Sequence, residues 1–195
     1  MITSAEMREL EANSGVPLSI LMKRAGTAVY EALKQKFDLK GKKILIVCYH
    51  GNNGGDGFVA ANLLSNDTEV DVLFIGDEEK MKKEASANYK RLLNNPGVQF
   101  VSYESIDFDD YDIIIDAILG IGYKGRLNKE ILNVIDDINK SKPFKISVDI
   151  PTGLNPDTGE VLEKSVNVDL IVTFHEMKPG LEAIKEKVVI ADIGL

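Results

Sequence analysis

The chain has 195 residues, of which 44% are hydrophobic, and its formal net charge is −8. This length and composition suffice for one globular domain with a full apolar core. The negative charge argues against a nucleic-acid partner, because phosphate backbones require a basic face. The sequence contains no run of about 18 apolar residues and no signal-peptide pattern at its start. With Cys48 as the one cysteine, we expect a cytoplasmic protein without membrane association.

Helix and strand patterns alternate along the chain. Thr3 and Glu6 form a predicted capping box for a first helix, and apolar spacing predicts a second helix over residues 18–36. Strands are predicted at 44–48, 70–75, 98–102, 112–119, 145–150, 170–174 and 188–193, with further helices at 58–64, 78–93 and 129–139. Continuous apolar strands such as 113–115 are typical of a parallel sheet covered on both faces, so the pattern predicts a doubly wound α/β sandwich.

Unusual residues follow three of the predicted strands. The first segment is Gly51-Asn52-Asn53-Gly54-Gly55-Asp56-Gly57, the second runs from Asp116 through Gly120 to Arg126, and the third contains Asp149 and Thr152. Ligands of doubly wound sheets bind at the carboxyl ends of the strands, so we expect the three segments to converge. The first is typical of a phosphate or nucleotide cradle, because glycines allow close approach and a helix start offers free N–H groups.

Other nucleotide and catalytic motifs explain less of this pattern. Residues 55–60 fit the G-x-G-x-x-A dinucleotide fingerprint, and Asp77 lies where a ribose-binding acid is expected. That interpretation leaves Asn52, Asn53 and Asp149 unexplained. No Gly-Lys-Ser/Thr follows the first segment, which disfavours a P-loop kinase, and no G-x-S-x-G elbow supports nucleophilic hydrolysis.

Taken together, the three segments resemble the NAD(P)H-hydrate epimerase family, also called the YjeF N-terminal domain. The resemblance covers the whole chain and includes Leu21-Met22-Lys23-Arg24-Ala25-Gly26 and Lys178-Pro179-Gly180. It implies a three-layer αβα Rossmann-like sandwich with a mostly parallel central sheet, with residues 1–195 as a single domain of this type. Two positions depart from the usual pattern: Tyr49 stands where glycine is usual, and Thr152 stands where serine is usual.

The resemblance implies a function in nicotinamide nucleotide repair. Members interconvert the R and S forms of hydrated NADH and NADPH, so that a dehydratase specific for one form can restore the cofactor. The chain ends at Leu195, where a dehydratase domain would begin, so we expect a separate ADP- or ATP-dependent dehydratase as pathway partner. Relatives are often dimers, which makes a homodimer an expectation. The alternative is a non-catalytic nucleotide-binding interaction module on the same fold.

The resemblance also implies the site residues. A potassium ion is expected on Asn53, Asp116 and Thr152, whose amide, carboxylate and hydroxyl oxygens suit a hard cation. Asp149 is the candidate acid–base group for the loss and return of water at the hydroxyl-bearing ring carbon. Substrate contacts are implied at Asn52, Asn53, Gly54, Gly55, Asp56, Gly120, Ile121, Gly122, Tyr123, Lys124, Gly125, Arg126 and Asp149.

Structural roles remain open for several of these residues. Asn52, Asn53 and Asp56 are also residues that cap helices and tolerate left-handed geometry. Asp116 is also explained as a strand-end acid that bonds a loop backbone. Lys178, like Lys124 and Arg126, has the ordinary interpretation of a surface charge.

Overall fold

The computed structural model describes residues 1–123, 125–161 and 163–195. Within them, seven strands form one parallel sheet. The strands are β1 Lys43–Cys48, β2 Glu69–Phe74, β3 Val98–Val101, β4 Ile113–Ala117, β5 Phe144–Val148, β6 Leu170–Phe174 and β7 Val188–Ala191. Their order is β3-β2-β1-β4-β5-β6-β7, and every neighbouring pair is parallel.

Helices cover both faces of this sheet. The α-helices are α1 Ser4–Asn13, α2 Leu18–Lys36, α3 Asn52–Leu64, α4 Lys83–Leu93 and α5 Lys129–Lys140, with 3₁₀ turns at Glu78–Lys80, Tyr103–Ser105, Phe108–Asp110 and Pro179–Lys187. Side chains of α1 to α4 pack with Ile44 and Ile46 on one face, while α5 packs with Leu45 and Val47 on the other. None of the helices in the described residues combines the length and apolar character needed to cross a bilayer.

The predicted α/β class is confirmed, and the sheet is parallel throughout. The chain leaves β1 to build β2 and β3 on one side, and then returns to build β4 to β7 on the other. The strand order therefore reverses between β1 and β4, which is where doubly wound folds place their ligands. The capping box is also confirmed, because the Thr3 side chain accepts from the Glu6 N–H and the Glu6 carboxylate accepts from the Thr3 N–H.

Several element boundaries differ from the sequence prediction. Helix α3 begins at Asn52 instead of residue 58, so the asparagine and glycine segment forms the first two turns of a helix. The predicted helix over 78–93 is divided into a 3₁₀ turn and α4. The predicted strand over 112–119 ends at Ala117, because the Asp116 side chain accepts the Ile118 N–H and turns the backbone out of the ladder.

Glycines in α3 bring this helix close to its neighbours. A Cβ atom on Gly54 would lie 1.8 Å from the carbonyl oxygen of Tyr49, and one on Gly57 would lie 2.5 Å from the Ala117 Cβ. Real Cβ atoms do not approach other atoms so closely, so glycine at both positions is required by packing. The glycine pattern that predicted a ligand cradle is therefore explained first by contact between the helix and the sheet.

We expect Gly54→Ala to destabilise the fold by about 3 kcal/mol, because the methyl group would overlap a backbone carbonyl that cannot move aside easily. Urea denaturation measures the change. Gly122→Ala is the matched control, since a Cβ at Gly122 would meet nothing within 4 Å. An unchanged unfolding midpoint for Gly54→Ala would contradict the close packing of α3.

Candidate active site

The second and third segments are joined through Asp116, which lies in β4. Its carboxylate accepts four hydrogen bonds: from the Thr152 hydroxyl at 2.6 Å, the Thr152 N–H at 2.8 Å, the Ile118 N–H at 3.2 Å and the Ser147 hydroxyl at 3.4 Å. The Thr152 hydroxyl in turn accepts the Leu119 N–H at 3.0 Å. Asp116 and Thr152 are both buried. Two residues predicted to act together are therefore in direct contact.

Burial determines the proton affinity of Asp116. Loss of water raises the pKa of its carboxyl to about 6, although the hydrogen bonds from Thr152, Ile118 and Ser147 work in the opposite direction. Within the described residues, no lysine, arginine or histidine lies within ion-pair distance of this carboxylate. Its charge is held by neutral donors alone.

The first segment places two asparagines at the N-terminus of α3. Gly51 is the N-cap and provides no side-chain cap, so the first N–H groups of the helix are not capped by a side chain. Asn53 is buried, and its Oδ1 lies 3.0 Å from the position that a Cβ on Gly120 would occupy. The Asn52 Oδ1 and Asn53 Nδ2 atoms are buried without a hydrogen-bond partner in the part of the chain that the structure describes. Unpartnered buried polar atoms are rare in folded proteins, which makes these two atoms candidates for contact with a ligand.

Asp149 follows β5 in a strained turn. Its φ is +66°, and the Ile150 N–H donates to the Val148 carbonyl at 2.8 Å across it, which makes Asp149 the central residue of a γ-turn. A positive φ is uncommon for a residue with a Cβ, and such strain collects at functional sites. The Asp149 carboxylate forms an ion pair with Lys178 at 2.8 Å and accepts the Thr173 hydroxyl at 3.1 Å.

Two further carboxylates lie near Asp149. Burial and then the charges of Asp149 and Glu11 raise the pKa of Asp56 well above its usual range. Burial and the charge of Asp149 also raise the pKa of Glu11, while Lys178 and Arg8 oppose this shift. The three acids therefore differ in their electrostatic surroundings, and Asp56 is the one biased most clearly toward its protonated form.

Residues of the second segment form the outer part of the site. A cavity of about 330 Å³ opens between this segment and the third, lined by residues that include Gly120, Tyr123 and Gly125. Gly122, Gly125 and Arg126 are exposed, whereas Ile121 is half-buried. The predicted contact at Lys124 lies outside the described residues.

Most of the predicted residues are brought together, and three further residues join them: Glu11 and Arg8, which the sequence pattern does not single out, and Lys178, whose expected place is the surface. Lys178 is fully buried, so its interpretation as a surface charge is wrong. Glu11 comes from α1, and Arg8 of the same helix donates to the Ile121 carbonyl at 3.0 Å. The capping box located the start of α1, but nothing in its pattern indicated which side chains would reach the carboxyl ends of the strands.

The dinucleotide fingerprint does not form the structure that its function requires. Gly55 and Gly57 lie inside α3, where Cβ atoms would meet Met22 and Ala117, and not in a turn between strand and helix. The Asp77 carboxylate accepts the Glu79 N–H at 3.0 Å and pairs with Lys80 at 2.9 Å. Asp77 thus caps a 3₁₀ turn, and the match of residues 55–60 is explained by helix packing.

Comparison with known proteins agrees with this arrangement. The family model of the YjeF-related protein N-terminus matches residues 18–180, which include all three strand-end segments. The chain belongs to this family. The fold also matches the crystal structure of a yeast protein with a TM-score of 0.85 and 25% identity, over 97% of this chain and 86% of the yeast chain.

Curated relatives fall into two groups. One is the NAD(P)H-hydrate epimerase of Oenococcus oeni, which is 37% identical over 93% of this chain and 88% of that relative. The other is the bifunctional NAD(P)H-hydrate repair enzyme of Methanothermobacter thermautotrophicus, which is 43% identical over 93% of this chain. The chain spans 37% of the length of that bifunctional relative.

We expect Thr152→Val to destabilise the protein by about 2 kcal/mol at about pH 7.5, and by less at about pH 5. The folded pKa of Asp116, about 6, lies above its unfolded value, so stability falls as pH rises toward 6 and the carboxylate is charged above it. Removing the Thr152 hydroxyl raises the pKa of Asp116 further. The additional loss of unfolding free energy therefore appears at pH values above this pKa, where Asp116 is charged. Urea unfolding at both pH values measures it.

Thr27→Val is the control for this measurement, since the exposed Thr27 hydroxyl donates to the Lys23 carbonyl and faces no carboxylate. Its small effect is expected to be equal at both pH values. An equal loss at both pH values for Thr152→Val would show that the hydroxyl does not stabilise a charged Asp116.

Proposed function

We propose that the protein is an NAD(P)H-hydrate epimerase, which interconverts the R and S forms of hydrated NADH or NADPH. The observation that carries the proposal is 37% sequence identity to a relative named for this activity. The aligned region covers 93% of this chain and 88% of that relative. The site geometry supports it, because the uncapped start of α3 follows β1 and the candidate acid–base group Asp149 follows β5, at the same edge of the sheet with β4 between them.

The substrate is a dinucleotide with two negative phosphates, and the N-terminus of α3 is suited to hold them. Free N–H groups and the positive end of the helix dipole bind phosphate oxygens. The Asn52 Oδ1 lies in the same turn, buried and without a partner among the described residues, and as an acceptor it suits a hydroxyl or N–H group of the substrate and not a phosphate oxygen. The cavity beside Gly120 and Tyr123 gives the remainder of the dinucleotide a place between the second and third segments.

The reaction needs a proton donor and a proton acceptor at one carbon. The C–O bond breaks as the hydroxyl takes a proton and leaves as water, while the ring nitrogen lone pair forms a planar iminium. Water then adds to the other face, and its proton passes to a base. Ring opening to an aldehyde followed by closure would require the same two groups.

Asp56 and Asp149 divide these duties in our proposal. Asp56, whose pKa is raised well above its usual range, supplies the proton for the leaving hydroxyl. Asp149, paired with Lys178, accepts the proton from the incoming water. Two carboxyl groups in different surroundings are the usual means by which one site provides both an acid and a base.

Potassium fits the donor set at Asp116, Asn53 and Thr152. Asp116 is buried without a cationic partner in the described residues, the Asn53 Oδ1 faces Gly120 in the second segment, and the Thr152 hydroxyl retains one unused lone pair. No cluster of three or more His, Cys, Asp or Glu suited to a metal occurs in residues 1–123, 125–161 and 163–195. Hard oxygen donors with one carboxylate suit an alkali cation. Bound there, it would offset phosphate charge in an acidic protein.

The pathway partner, the cellular compartment and the oligomeric state complete the proposal. We propose that a dehydratase specific for one epimer acts on the product, that the protein works in the cytoplasm, and that it forms a homodimer. The bifunctional repair enzymes among the relatives are consistent with a functional link between epimerisation and a second repair step.

We expect Asp149→Asn to lower kcat by about 100-fold or more, because the amide cannot accept the proton of water. The assay supplies one pure epimer and follows the other by chromatography, with the uncatalysed rate subtracted. Asp77→Asn is the control, since Asp77 only caps a 3₁₀ turn in the described structure. Full turnover by Asp149→Asn would remove Asp149 from the mechanism. No acceleration by the wild-type protein with potassium present would favour the interaction-module alternative.

Potassium is expected to raise the thermal stability of the protein in the absence of any substrate. A concentration ten times the dissociation constant adds about 1.4 kcal/mol, or about 3 to 5 °C in Tm for a chain of this size. Differential scanning fluorimetry in potassium against choline at equal ionic strength measures it. Asp116→Asn should lose the difference while Asp112→Asn retains it. A Tm independent of the cation would argue against the site.

A further inference from the structure

Lys178 is one of the most completely buried side chains of the protein. Its exposed fraction is 0%, whereas lysines are almost never fully buried unless they are paired. Its ammonium group donates to the Asp149 carboxylate at 2.8 Å, the Phe174 carbonyl at 2.8 Å and the Thr173 hydroxyl at 2.9 Å. All three N–H donors of the ammonium group are therefore satisfied. A group so fully engaged does not move to contact a substrate phosphate.

The contacts on Asp149 are asymmetric. Lys178 and the Thr173 hydroxyl both bind the Oδ1 atom, and the Thr173 hydroxyl also accepts from Lys178, which closes a three-membered network. No hydrogen bond to the Oδ2 atom occurs among the described residues. The Asp149 side chain retains 8% exposure while Lys178 has none. One oxygen is thus anchored toward the protein interior and the other is left for a partner from outside.

The backbone adds to this constraint. Asp149 sits in its γ-turn with its own N–H donated to the Val172 carbonyl at 2.8 Å, so the residue is fixed to β6 by backbone and side chain alike. Thr173 belongs to β6, and Lys178 lies in the segment after this strand, which ends at Phe174. The segment after β6 therefore determines where the reactive group at the end of β5 points.

We propose that Lys178 is a positioning residue for Asp149, which holds one carboxylate oxygen in place and keeps the group charged so that the other oxygen accepts a proton from water. This inference rests on the proposed epimerase function. The charged groups around Asp149 favour a cation beside it: Asp56 and Glu11 are acidic, and among the described residues Arg8 and Lys178 are basic groups that act on Glu11. Without Lys178, like charges would oppose ionisation of Asp149.

The test compares Lys178→Met with wild type in two ways. First, the acid limb of the pH profile of kcat/KM should move to higher pH, with kcat/KM about 100-fold lower near pH 7 and recovering at alkaline pH. Second, NMR of ¹³C-labelled aspartate should show the Asp149 carboxyl titrating at higher pH, its signal being assigned with Asp149→Asn. The second measurement needs no activity, so it separates failure of this inference from failure of the proposed function.

Lys145→Met is the matched control for loss of a buried lysine. Lys145 is 9% exposed, and its ammonium group donates to the Ser141 and Pro143 carbonyls and to no carboxylate. Lys145→Met should be less stable than wild type, but it should leave both the pH profile of kcat/KM and the NMR titration of Asp149 unchanged. Unchanged titration of Asp149 and an unshifted pH profile in Lys178→Met would overturn the proposal.

Thr173→Val decides the matter if Lys178→Met does not fold. Valine keeps the shape of threonine but removes the hydroxyl that bridges the ammonium and the carboxylate. We expect kcat to fall several-fold with KM little changed, because Asp149 loses orientation and no substrate contact is removed. A kcat equal to that of wild type would overturn the positioning role.

Discussion

Burial of negative charge at the carboxyl end of the sheet is the constraint on which the site depends. A carboxylate removed from water must be paired, hydrogen-bonded or protonated. Asp116 is held by hydrogen bonds from neutral donors, chief among them Thr152. Asp149 is paired with Lys178, and Asp56 has a pKa raised well above its usual range. Three similar side chains thereby acquire different properties. We propose that Asp116 serves as a cation ligand, Asp149 as a base and Asp56 as an acid.

The same contacts hold the site together across the fold. Thr152 binds Asp116 through both its backbone and its side chain, which fixes the segment after β5 to the end of β4. Lys178 joins the segment after β6 to Asp149. Helix α1 is attached from the other side, where Arg8 binds the Ile121 carbonyl. Loops with so many mutual contacts are preorganised, and preorganised charges act on a reaction without first having to reorient.

The sequence was informative about elements and weaker about pairs of side chains. Apolar and β-branched residues predict all seven strands, and the inner strands such as β4 show the continuous apolar pattern of buried parallel strands. The resemblance points to Asp116 and Thr152, which are in contact. The early start of α3 was missed, since its glycines signal a loop unless their packing partners are known. The burial of Lys178 escapes prediction for a related reason: it depends on a carboxylate distant in sequence. The γ-turn at Asp149 likewise depends on the hydrogen bonds of neighbouring strands.

The packing of α3 bears on whether the dinucleotide is a redox cofactor or a substrate. A redox fingerprint uses its glycines to bring the backbone against the pyrophosphate, but Gly55 and Gly57 face Met22 and Ala117. In our proposal, phosphate binds at the uncapped first turn of the helix, next to buried asparagine atoms without partners in the described residues. The carboxyl groups that we propose as acid and base adjoin that turn, and inversion at a hydrated carbon requires such a pair. The architecture therefore favours a dinucleotide that is itself the substrate.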